Sequence, residues 1–437
     1  MIYDLIIIGA GAAGLFAGAS LPYPVKGLMI EKSSSPGRKL LMSGAGQCNL
    51  TQGGSMKDFI SHYGKNGNQI RSILYRFNNK SLINFFHRCD VPLFQREDGK
   101  VFPQSLKAEN VLDALVKLCI NNGFKFIYSS PVTNITWEKS SLTNESKEEH
   151  IVIYTIHCGK QQYKTNKLII STGGCSYPST GSDGSFYSIL EAMGIKINTT
   201  KPALVPIYVQ NYPFKDLSGI SFSSAAISIY NKLSNENNLD KLKNQGNRIA
   251  ENTDALLLTH TCFSGPAILN ISRHATIGDL ISINYYPEKS GEIIFKQLSE
   301  IIIGNKKQII TVLYEYFNTD FTKSPVEMPK RFLDIICSRC NVISTIKSSQ
   351  LTTPGLKSII NMITNDIYSI SDLGGYNVAM VTSGGVSLNE VNSKTLESIR
   401  YSNLYFAGEV LDVDGDTGGY NLQFAYSSGK LAAENKE

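Results

Sequence analysis

The pattern of hydrophobic positions at the start of the chain predicts a strand, a turn and a helix. Residues 3–8 include a short apolar run, and residues 15–19 are small or apolar. An apolar run of this length is typical of a central strand in a parallel sheet, which is buried on both faces. A second apolar run, residues 25–30, ends in Glu31. The beginning of the chain therefore predicts the first two strands of a parallel sheet.

Later segments follow two other patterns. Residues 168–170 and 404–406 are short apolar runs that precede glycine-rich segments, like the first strand. Between them, alternation at Ile227/Ile229 and Ile281/Ile283 predicts half-buried antiparallel strands. Apolar residues recur with helical spacing after Ile294 and again after Ile310, which predicts amphipathic helices. The predicted fold class is therefore α/β, a Rossmann-type domain with a parallel sheet and an inserted β subdomain plus helical cap.

These patterns predict a discontinuous first domain. We expect residues 1–195 and 376–437 to form the Rossmann-type domain and residues 196–375 to form the insert. Within the insert, the β subdomain is expected at about 196–290 with a return strand at 365–375. The helical part is expected at about 291–364. A cap over the first domain is where substrate selectivity would reside.

Composition narrows the functional class. Hydrophobic residues make up 42% of the chain and charged residues 18%, which permits a large core. The net charge of +5 is a mild excess for 437 residues. We therefore expect a small-molecule substrate, with no nucleic acid and no membrane as partner, and we leave the oligomeric state open. The eight cysteines are scattered and no secretory signal is visible, so we expect a cytoplasmic protein without a metal site.

Three glycines carry the first chemical signal. Gly9, Gly11 and Gly14 have the spacing of the dinucleotide fingerprint, placed between a predicted strand and a predicted helix. Gly9 permits the tight turn, Gly11 lets the backbone approach a pyrophosphate, and Gly14 lets the helix approach the strand. Glu31 then supplies a carboxylate for the ribose hydroxyls of an adenosine. The segment predicts a nucleotide site at a helix N-terminus.

The fingerprint does not distinguish FAD from NAD, but the rest of the chain favours FAD. Glycine-rich segments follow the apolar runs in the middle and at the end of the chain, and a helix is predicted to begin near Gly419. We find no second fingerprint after a strand, so no separate NAD domain is expected. The predicted cofactor-binding residues are Gly9, Gly11, Ala12, Ala13, Gly14, Glu31, Lys32, Arg38, Lys39, Ser43, Gly44, Gly46, Cys48, Asn49, Thr172, Gly173, Gly174, Gly408, Glu409, Gly419, Tyr420, Asn421 and Leu422.

These motifs together resemble a known family. The chain is similar to the BaiN/YhiN-like family of NAD(P)/FAD-dependent oxidoreductases, which are distantly similar to glutathione reductase and fumarate reductase flavoproteins. The matching stretches are GRKLLMSGAGQCNLT (37–51), VFPQSLKAENVLDAL (101–115), STGGCSYPSTGSDG (171–184), LLLTHTCFSGPAILNIS (256–272), VTSGGVSLNEV (381–391) and LYFAGEVLDVDGDTGGYNLQFAYSSG (404–429). Gln47 and Cys262 depart from the family pattern. The resemblance implies non-covalent FAD and redox chemistry on a small organic molecule.

The catalytic residue stays unidentified at this stage. His260 and Tyr177 are the candidates, although a histidine that bonds its own loop and a tyrosine that packs in the core are the competing interpretations. We expect an FAD-dependent oxidoreductase, reduced by NADH or NADPH, that passes hydride to an unsaturated or carbonyl substrate. One alternative is a flavin oxidase or dehydrogenase of a small amine or alcohol that uses oxygen. FAD-dependent RNA modification and a non-catalytic flavin-binding protein are further alternatives, and the modest net charge disfavours the first of these two.

Overall fold

The structure is a computed structural model that describes residues 1–144, 147–231, 247–318 and 328–434. The chain divides into two compact units. Unit 1 comprises Met1–Pro202 and Tyr376–Glu437, and unit 2 comprises Ala203–Gly375. The first unit is thus formed by the two ends of the chain.

Strands and helices alternate in unit 1, whereas unit 2 is mainly strands followed by helices. The strands, in chain order, are β1 (Ile2–Tyr3), β2 (Leu5–Ile8), β3 (Gly27–Ile30), β4 (Thr51–Gln52), β5 (Leu93–Gln95), β6 (Lys100–Pro103), β7 (Phe124–Ile127), β8 (Asn134–Asn144), β9 (Lys147–Cys158), β10 (Gln161–Thr165), β11 (Leu168–Ile170), β12 (Ile197–Ala203), β13 (Ile207–Val209), β14 (Ser221–Tyr230), β15 (Arg248–Leu258), β16 (Phe263–Ser264), β17 (Leu280–Asn284), β18 (Asp366–Leu373), β19 (Val381–Val386) and β20 (Leu404–Phe406). The α-helices are α1 (Ala12–Ala19), α2 (Arg38–Met42), α3 (Met56–Ser61), α4 (Arg71–Arg76), α5 (Asn79–Arg88), α6 (Ala108–Asn121), α7 (Tyr187–Ala192), α8 (Pro266–Leu269), α9 (Gly291–Ile302), α10 (Ile309–Asn318), α11 (Lys330–Arg339), α12 (Thr353–Thr364) and α13 (Tyr420–Ala433).

A five-stranded parallel sheet forms the centre of unit 1. Its strand order is β20-β11-β2-β3-β7. The last residues of these strands pair across the sheet, namely Phe406, Ile170, Ile8, Ile30 and Ile127. The first four strands of this order are buried throughout, as expected for parallel strands covered on both faces. The predicted parallel sheet is confirmed.

Helix α1 lies deep within unit 1. Seven of its eight residues are buried, and Phe16 packs against the rings of Phe85 and Tyr426 at centroid distances of 4.6 and 4.9 Å. A helix that is apolar on all sides must be buried on all sides. Small residues allow this close packing: a Cβ added at Gly429 would lie 2.4 Å from the Ala13 carbonyl oxygen. The sequence of α1 thus fits a position between the sheet and α13.

Three smaller sheets complete unit 1 in the described residues. The first is four-stranded, in the order β1-β10-β9-β8, and the second is three-stranded, in the order β4-β6-β5. The third pairs β12 with β19. This third pairing places residues 197–202 in unit 1, so the structural boundary lies at 203, rather than at the predicted 196. The pattern of apolar and polar residues around position 200 could not show this boundary, because β19, the partner of β12, lies about 180 residues further along the chain.

Unit 2 contains a closed antiparallel barrel with four of the longer helices. The barrel order is β13-β16-β15-β14-β17-β18. Ile227, Ile229, Ile281 and Ile283 point into its core, and residues of α9–α12 join the same hydrophobic cluster. The inserted β subdomain with a helical part is therefore confirmed as a fold class. Ile301 on α9 and Tyr314 on α10 continue the apolar spacing that predicted these helices, but both side chains are exposed.

A buried ion pair joins α11 to the barrel. The two terminal guanidinium nitrogens of Arg339 donate to the Asp366 carboxylate, at 2.7 and 2.8 Å. The hydroxyls of Tyr285 and Tyr368 donate to the same carboxylate, which is 3% exposed. Burial and these carboxylate contacts raise the pKa of Tyr368 well above its usual range. The buried charge of Asp366 is therefore fully paired and hydrogen-bonded. A protein tolerates a buried ion pair under this condition.

We predict that Arg339→Met destabilises the protein by about 3–5 kcal/mol, because it leaves the Asp366 carboxylate buried without its cation. The double variant Arg339→Met/Asp366→Leu should regain most of that loss. Urea unfolding followed by circular dichroism measures both. Arg331→Met on the exposed side of α11 is the matched control. Equal stability of the two single variants would contradict this account.

Candidate functional site

Four segments of unit 1 meet at the carboxyl edge of the parallel sheet. The strands β2, β3, β11 and β20 end in register. The chain continues from them into Gly9, Glu31, Ser171 and Ala407, so these positions are neighbours at one edge. Ligands of open α/β sheets bind at this edge, beyond the carboxyl ends of the strands. The predicted cofactor residues that follow these four strands are therefore brought together.

The glycine turn is packed against the strand next to it. Gly9 has a φ of 99°, and a Cβ there would lie 2.5 Å from the Ser171 carbonyl oxygen. A Cβ at Gly14 would lie 2.0 Å from the Gly9 carbonyl oxygen. At Gly11, in contrast, no atom lies within 4 Å of an added Cβ. Gly9 and Gly14 are thus required by the protein itself, whereas the space beside Gly11 is open.

Glu31 holds the turn in place. Its carboxylate accepts hydrogen bonds from the backbone N–H of Ala10 at 2.8 Å and of Ser33 at 2.7 Å. The two neighbouring basic residues lie at the surface: Lys32 pairs with Asp183 at 2.5 Å, and Arg38 is exposed. The two backbone contacts of Glu31 place its carboxylate at the end of β3, next to the glycine turn. A carboxylate that binds the adenosine ribose occupies this position.

The loop after α2 is left-handed over much of its length. Gly44, Ala45, Gly46 and Cys48 all have positive φ angles, between 56° and 84°. The Cys48 side chain is fully buried, and burial raises the pKa of its thiol to about 12. The Cys48 thiol is therefore a packing group of the core. Ser43 donates to the Leu40 carbonyl and so ends α2.

Lys39 and Glu409 form an ion pair between distant segments. Lys39 Nζ lies 2.5 Å from Glu409 Oε2 and also donates to Ser176 and Ser182, at 2.9 and 3.2 Å. Glu409 in turn accepts from the Ser176 hydroxyl and from the Thr382 N–H, at 2.6 and 3.0 Å. Both carboxylate oxygens of Glu409 thus have partners within the protein. In this structure Glu409 positions the loop after β11.

The loop after β11 packs closely against its neighbours. Gly173 has a φ of 76°, and a Cβ at Gly174 would lie 2.4 Å from Thr382 Oγ1. A Cβ at Gly408 would lie 2.7 Å from the Cβ of Ala13. Gly408 thus brings the segment after β20 onto α1, near the glycine turn.

Helix α13 begins at a second glycine turn. Gly419 has a φ of 98° and lies against the Thr51 backbone. Tyr420 is buried, and Leu422 is half-buried against the core that also contains Ala12. The Asn421 side chain bonds both the N–H and the carbonyl of Gly415, at 2.8 and 2.9 Å. Asn421 therefore shapes the loop before α13.

The two predicted catalytic candidates lie in different units. His260 is an exposed residue of unit 2, and its Nδ1 lies 3.3 Å from the Lys215 carbonyl oxygen. Tyr177 belongs to unit 1, has a φ of 51° and donates its backbone N–H to the Tyr376 carbonyl. Neither side chain has a carboxylate partner among these contacts.

Sequence reasoning missed a histidine–carboxylate pair. His62 Nδ1 lies 2.9 Å from Asp416 Oδ2, although the two residues are 354 positions apart. No local signal in the sequence marks His62, because neither its neighbours nor its spacing match a motif. His62 directly follows α3, and Asp416 lies in the loop before α13, a few residues before the predicted cofactor residues Gly419 and Tyr420.

The residues at the carboxyl edge fit a dinucleotide cofactor. Within the described residues, Thr172 Oγ1 and Asn49 Oδ1 are buried and have no hydrogen-bond partner. Both atoms belong to segments predicted to bind the cofactor. The open space beside Gly11 lies at the N-terminus of α1, where backbone N–H groups favour a phosphate. A nucleotide with several polar groups would satisfy these atoms.

None of the helices in the described ranges has the length and apolar character needed to cross a membrane.

Three known proteins match the chain along nearly its whole length. A ribosomal RNA dihydrouridine synthase of Escherichia coli strain K12 is 30% identical, over 99% of this chain and 98% of its own. A protein of the same name from Haemophilus influenzae is 30% identical, over 98% and 97%. A 3-dehydro-bile acid delta(4,6)-reductase of Clostridium scindens is 27% identical, over 98% and 97%. All three carry enzyme names.

The first two relatives correct one expectation. The modest net charge led us to exclude nucleic acid as a partner, and that exclusion is wrong, because two full-length relatives are named for action on ribosomal RNA. Net charge is summed over the whole surface, so it cannot report a local site for RNA.

The family assignment rests on the whole chain. The family described as HI0933-like protein Rossmann domain matches residues 3–435. The match includes the glycine turn, the loop after α2 and the start of α13. The chain therefore belongs to the HI0933-like Rossmann family, the family of flavin-dependent oxidoreductases that its sequence resembles.

Proposed function

We propose that the protein is an FAD-dependent reductase that saturates the C5=C6 bond of uridine in ribosomal RNA. The observation that carries this proposal is the 30% identity, over almost the full length of both chains, to two ribosomal RNA dihydrouridine synthases. The geometry of the carboxyl edge supports the cofactor part of it. The proposal that the substrate is ribosomal RNA rests on the names of these two relatives.

Several residues of the chain would hold FAD. The N–H groups at the start of α1 would face its phosphates, with Gly11 leaving room for them. Glu31 would accept hydrogen bonds from the adenosine ribose, and its contacts with Ala10 and Ser33 already orient the carboxylate. Thr172 and Asn49 offer buried polar atoms that lack a partner within the described residues.

Bound FAD, once reduced, supplies a hydride. The task of the protein is then to bind the base, to orient it and to supply a proton. The Lys39–Glu409 pair contributes by fixing the loop after β11, since Glu409 bonds both Ser176 and Thr382. A uridine must leave a helical stack, or lie in a single strand, before an enzyme reaches its C5=C6 bond.

NADH or NADPH is the proposed source of the hydride. The sequence contains one dinucleotide fingerprint, and Glu31 at its second strand suits an adenosine without a 2′-phosphate. The nicotinamide would therefore reduce the flavin without a domain of its own.

A second function has its own support. The Clostridium scindens relative is named a reductase of a 3-dehydro-bile acid. Reduction of uridine and reduction of a conjugated enone are the same reaction type, in which hydride adds to a C=C bond conjugated to a carbonyl and a proton adds to its neighbour. The chain would then act on a small conjugated ketone.

A reduction assay separates the two functions. The purified chain, supplied with FAD and reduced by dithionite, NADH or NADPH, is incubated with unmodified ribosomal RNA or with a conjugated steroid ketone. We expect the RNA nucleosides to include a uridine that has gained two hydrogen atoms, detected by mass spectrometry. Denaturation of the protein should release FAD and not FMN. Reduction of the steroid alone would favour the second function, and absence of bound flavin would contradict both.

We predict that Gly11→Val abolishes FAD binding while the protein stays folded. The valine side chain would occupy the open space beside the α1 N-terminus, and the backbone angles of Gly11, φ −84° and ψ −172°, suit any residue. Flavin absorbance and the unfolding midpoint measure the two effects. Gly375→Val, at another glycine with open space, is the matched control and should keep its FAD. Full flavin content in Gly11→Val would refute this placement of the phosphates.

We predict that Glu31→Gln weakens FAD binding by about 1.5–3 kcal/mol, because the charged acceptor for the ribose is lost. FMN lacks the adenosine, so its affinity should stay unchanged. Titration of the flavin-free protein with each flavin gives both dissociation constants. An equal loss for FAD and FMN would mean that Glu31 acts on the shape of the turn and has no ribose contact.

A further inference from the structure

The His62–Asp416 pair is held from two sides. The Asp416 carboxylate lies 2.9 Å from Nδ1 of His62, and the Asp416 backbone N–H donates to the His62 carbonyl at 2.9 Å. Side chain and backbone thus fix the same two residues to each other. His62 directly follows α3, and Asp416 lies in the loop before α13. The pair therefore ties two elements that are distant in sequence.

The imidazole ring is also fixed by stacking. It lies parallel to the ring of Tyr420, with a centroid distance of 4.2 Å and an interplanar angle of 19°. Tyr420 cannot move easily, since it is buried, its carbonyl accepts from the Tyr63 hydroxyl at 2.8 Å, and Phe59 packs on it edge-on. The ring of His62 thus has one supported face and a fixed orientation.

The second ring nitrogen is available. The His62 side chain is 38% exposed, and in the described part of the chain its Nε2 has no hydrogen-bond partner. A carboxylate on one nitrogen and open access at the other is the arrangement of a histidine that transfers protons. By comparison, Nε2 of His157 faces the Thr136 hydroxyl, and Nδ1 of His260 faces a carbonyl.

The location of the pair matches the proposed reaction. Asp416, Gly418 and Gly419 form the turn into α13, and a Cβ at Gly418 would lie 3.7 Å from Gln52 Oε1. Gln52 Oε1 is a further buried acceptor for which the described residues provide no partner. The turn is one of the segments predicted to bind the flavin, so His62 lies next to the predicted reaction site.

We propose that His62 is the proton donor of the reduction; this inference rests on the proposed function. A hydride from reduced FAD brings two electrons to C6 of the uracil, the C5=C6 π bond breaks, and the negative charge moves to C5 and the conjugated carbonyl oxygen. The Nε2–H of protonated His62 then gives its proton to C5. Asp416, hydrogen-bonded to Nδ1, keeps the imidazole oriented, and the exposed edge takes up a new proton from water.

A purely structural role predicts different behaviour. An exposed histidine–carboxylate pair contributes little to stability, because solvent screens it. If the pair only held the loop before α13, its loss would lower FAD content, and no small molecule in solution would replace it.

The test compares His62→Ala with the unmodified chain and with His87→Ala, an exposed histidine on α5. Dihydrouridine formation, flavin content, RNA affinity by filter binding and the unfolding midpoint are measured for each, with and without imidazole. We expect His62→Ala to keep its flavin and its RNA affinity, to lose about 100-fold in rate, and to regain at least about tenfold with imidazole. His87→Ala should match the unmodified chain.

The outcomes are distinguishable. A His62→Ala rate close to that of the unmodified chain, or a loss explained by missing flavin or RNA and not restored by imidazole, overturns the role of His62 alone. An unmodified chain that binds FAD but forms no dihydrouridine with any of the three reductants overturns the proposed function and this inference together.

Discussion

The close contact between the glycine turn and strand β11 is the constraint on which the site depends. A Cβ at Gly9 would lie 2.5 Å from the Ser171 carbonyl oxygen, and one at Gly14 would lie 2.0 Å from the Gly9 carbonyl oxygen. Both contacts involve backbone atoms, which cannot move aside as a flexible side chain can. The turn therefore has one conformation, which sets the start of α1 and the position of Glu31 at the end of β3. The other segments gather around this fixed edge.

Polar pairs between residues that are distant in sequence also shape the site. Lys39 and Glu409 connect α2 to the segment after β20, and His62 and Asp416 connect α3 to the loop before α13. These pairs join the early part of the chain to its last 30 residues or so, across the point where unit 2 is inserted. Of the two, the Lys39–Glu409 pair is the less exposed, and it fixes the loop after β11 at the carboxyl edge. In unit 2, the Arg339–Asp366 pair has the corresponding role between helix and barrel.

The parts of the fold that could be predicted are those with local signals. The buried strands β2, β3, β11 and β20 are continuous apolar runs, and the glycine turn has a fixed spacing, so both are visible in a short window. The polar pairs are invisible there, since their members lie hundreds of residues apart and neither member has a motif. The same reason applies to the pairing of β12 with β19. The exposed Ile301 on α9 shows a further limit, because apolar spacing alone does not determine which face of a helix is covered.

Reduction of uridine in ribosomal RNA is the central activity proposed for this chain. The most direct measurement compares the dihydrouridine content of ribosomal RNA from cells that have the gene with that from cells in which it is deleted. We expect dihydrouridine at the target position to disappear on deletion, to return with the unmodified gene and not to return with a Gly11→Val copy. An unchanged dihydrouridine content after deletion, in cells with no second copy of the gene, would contradict it.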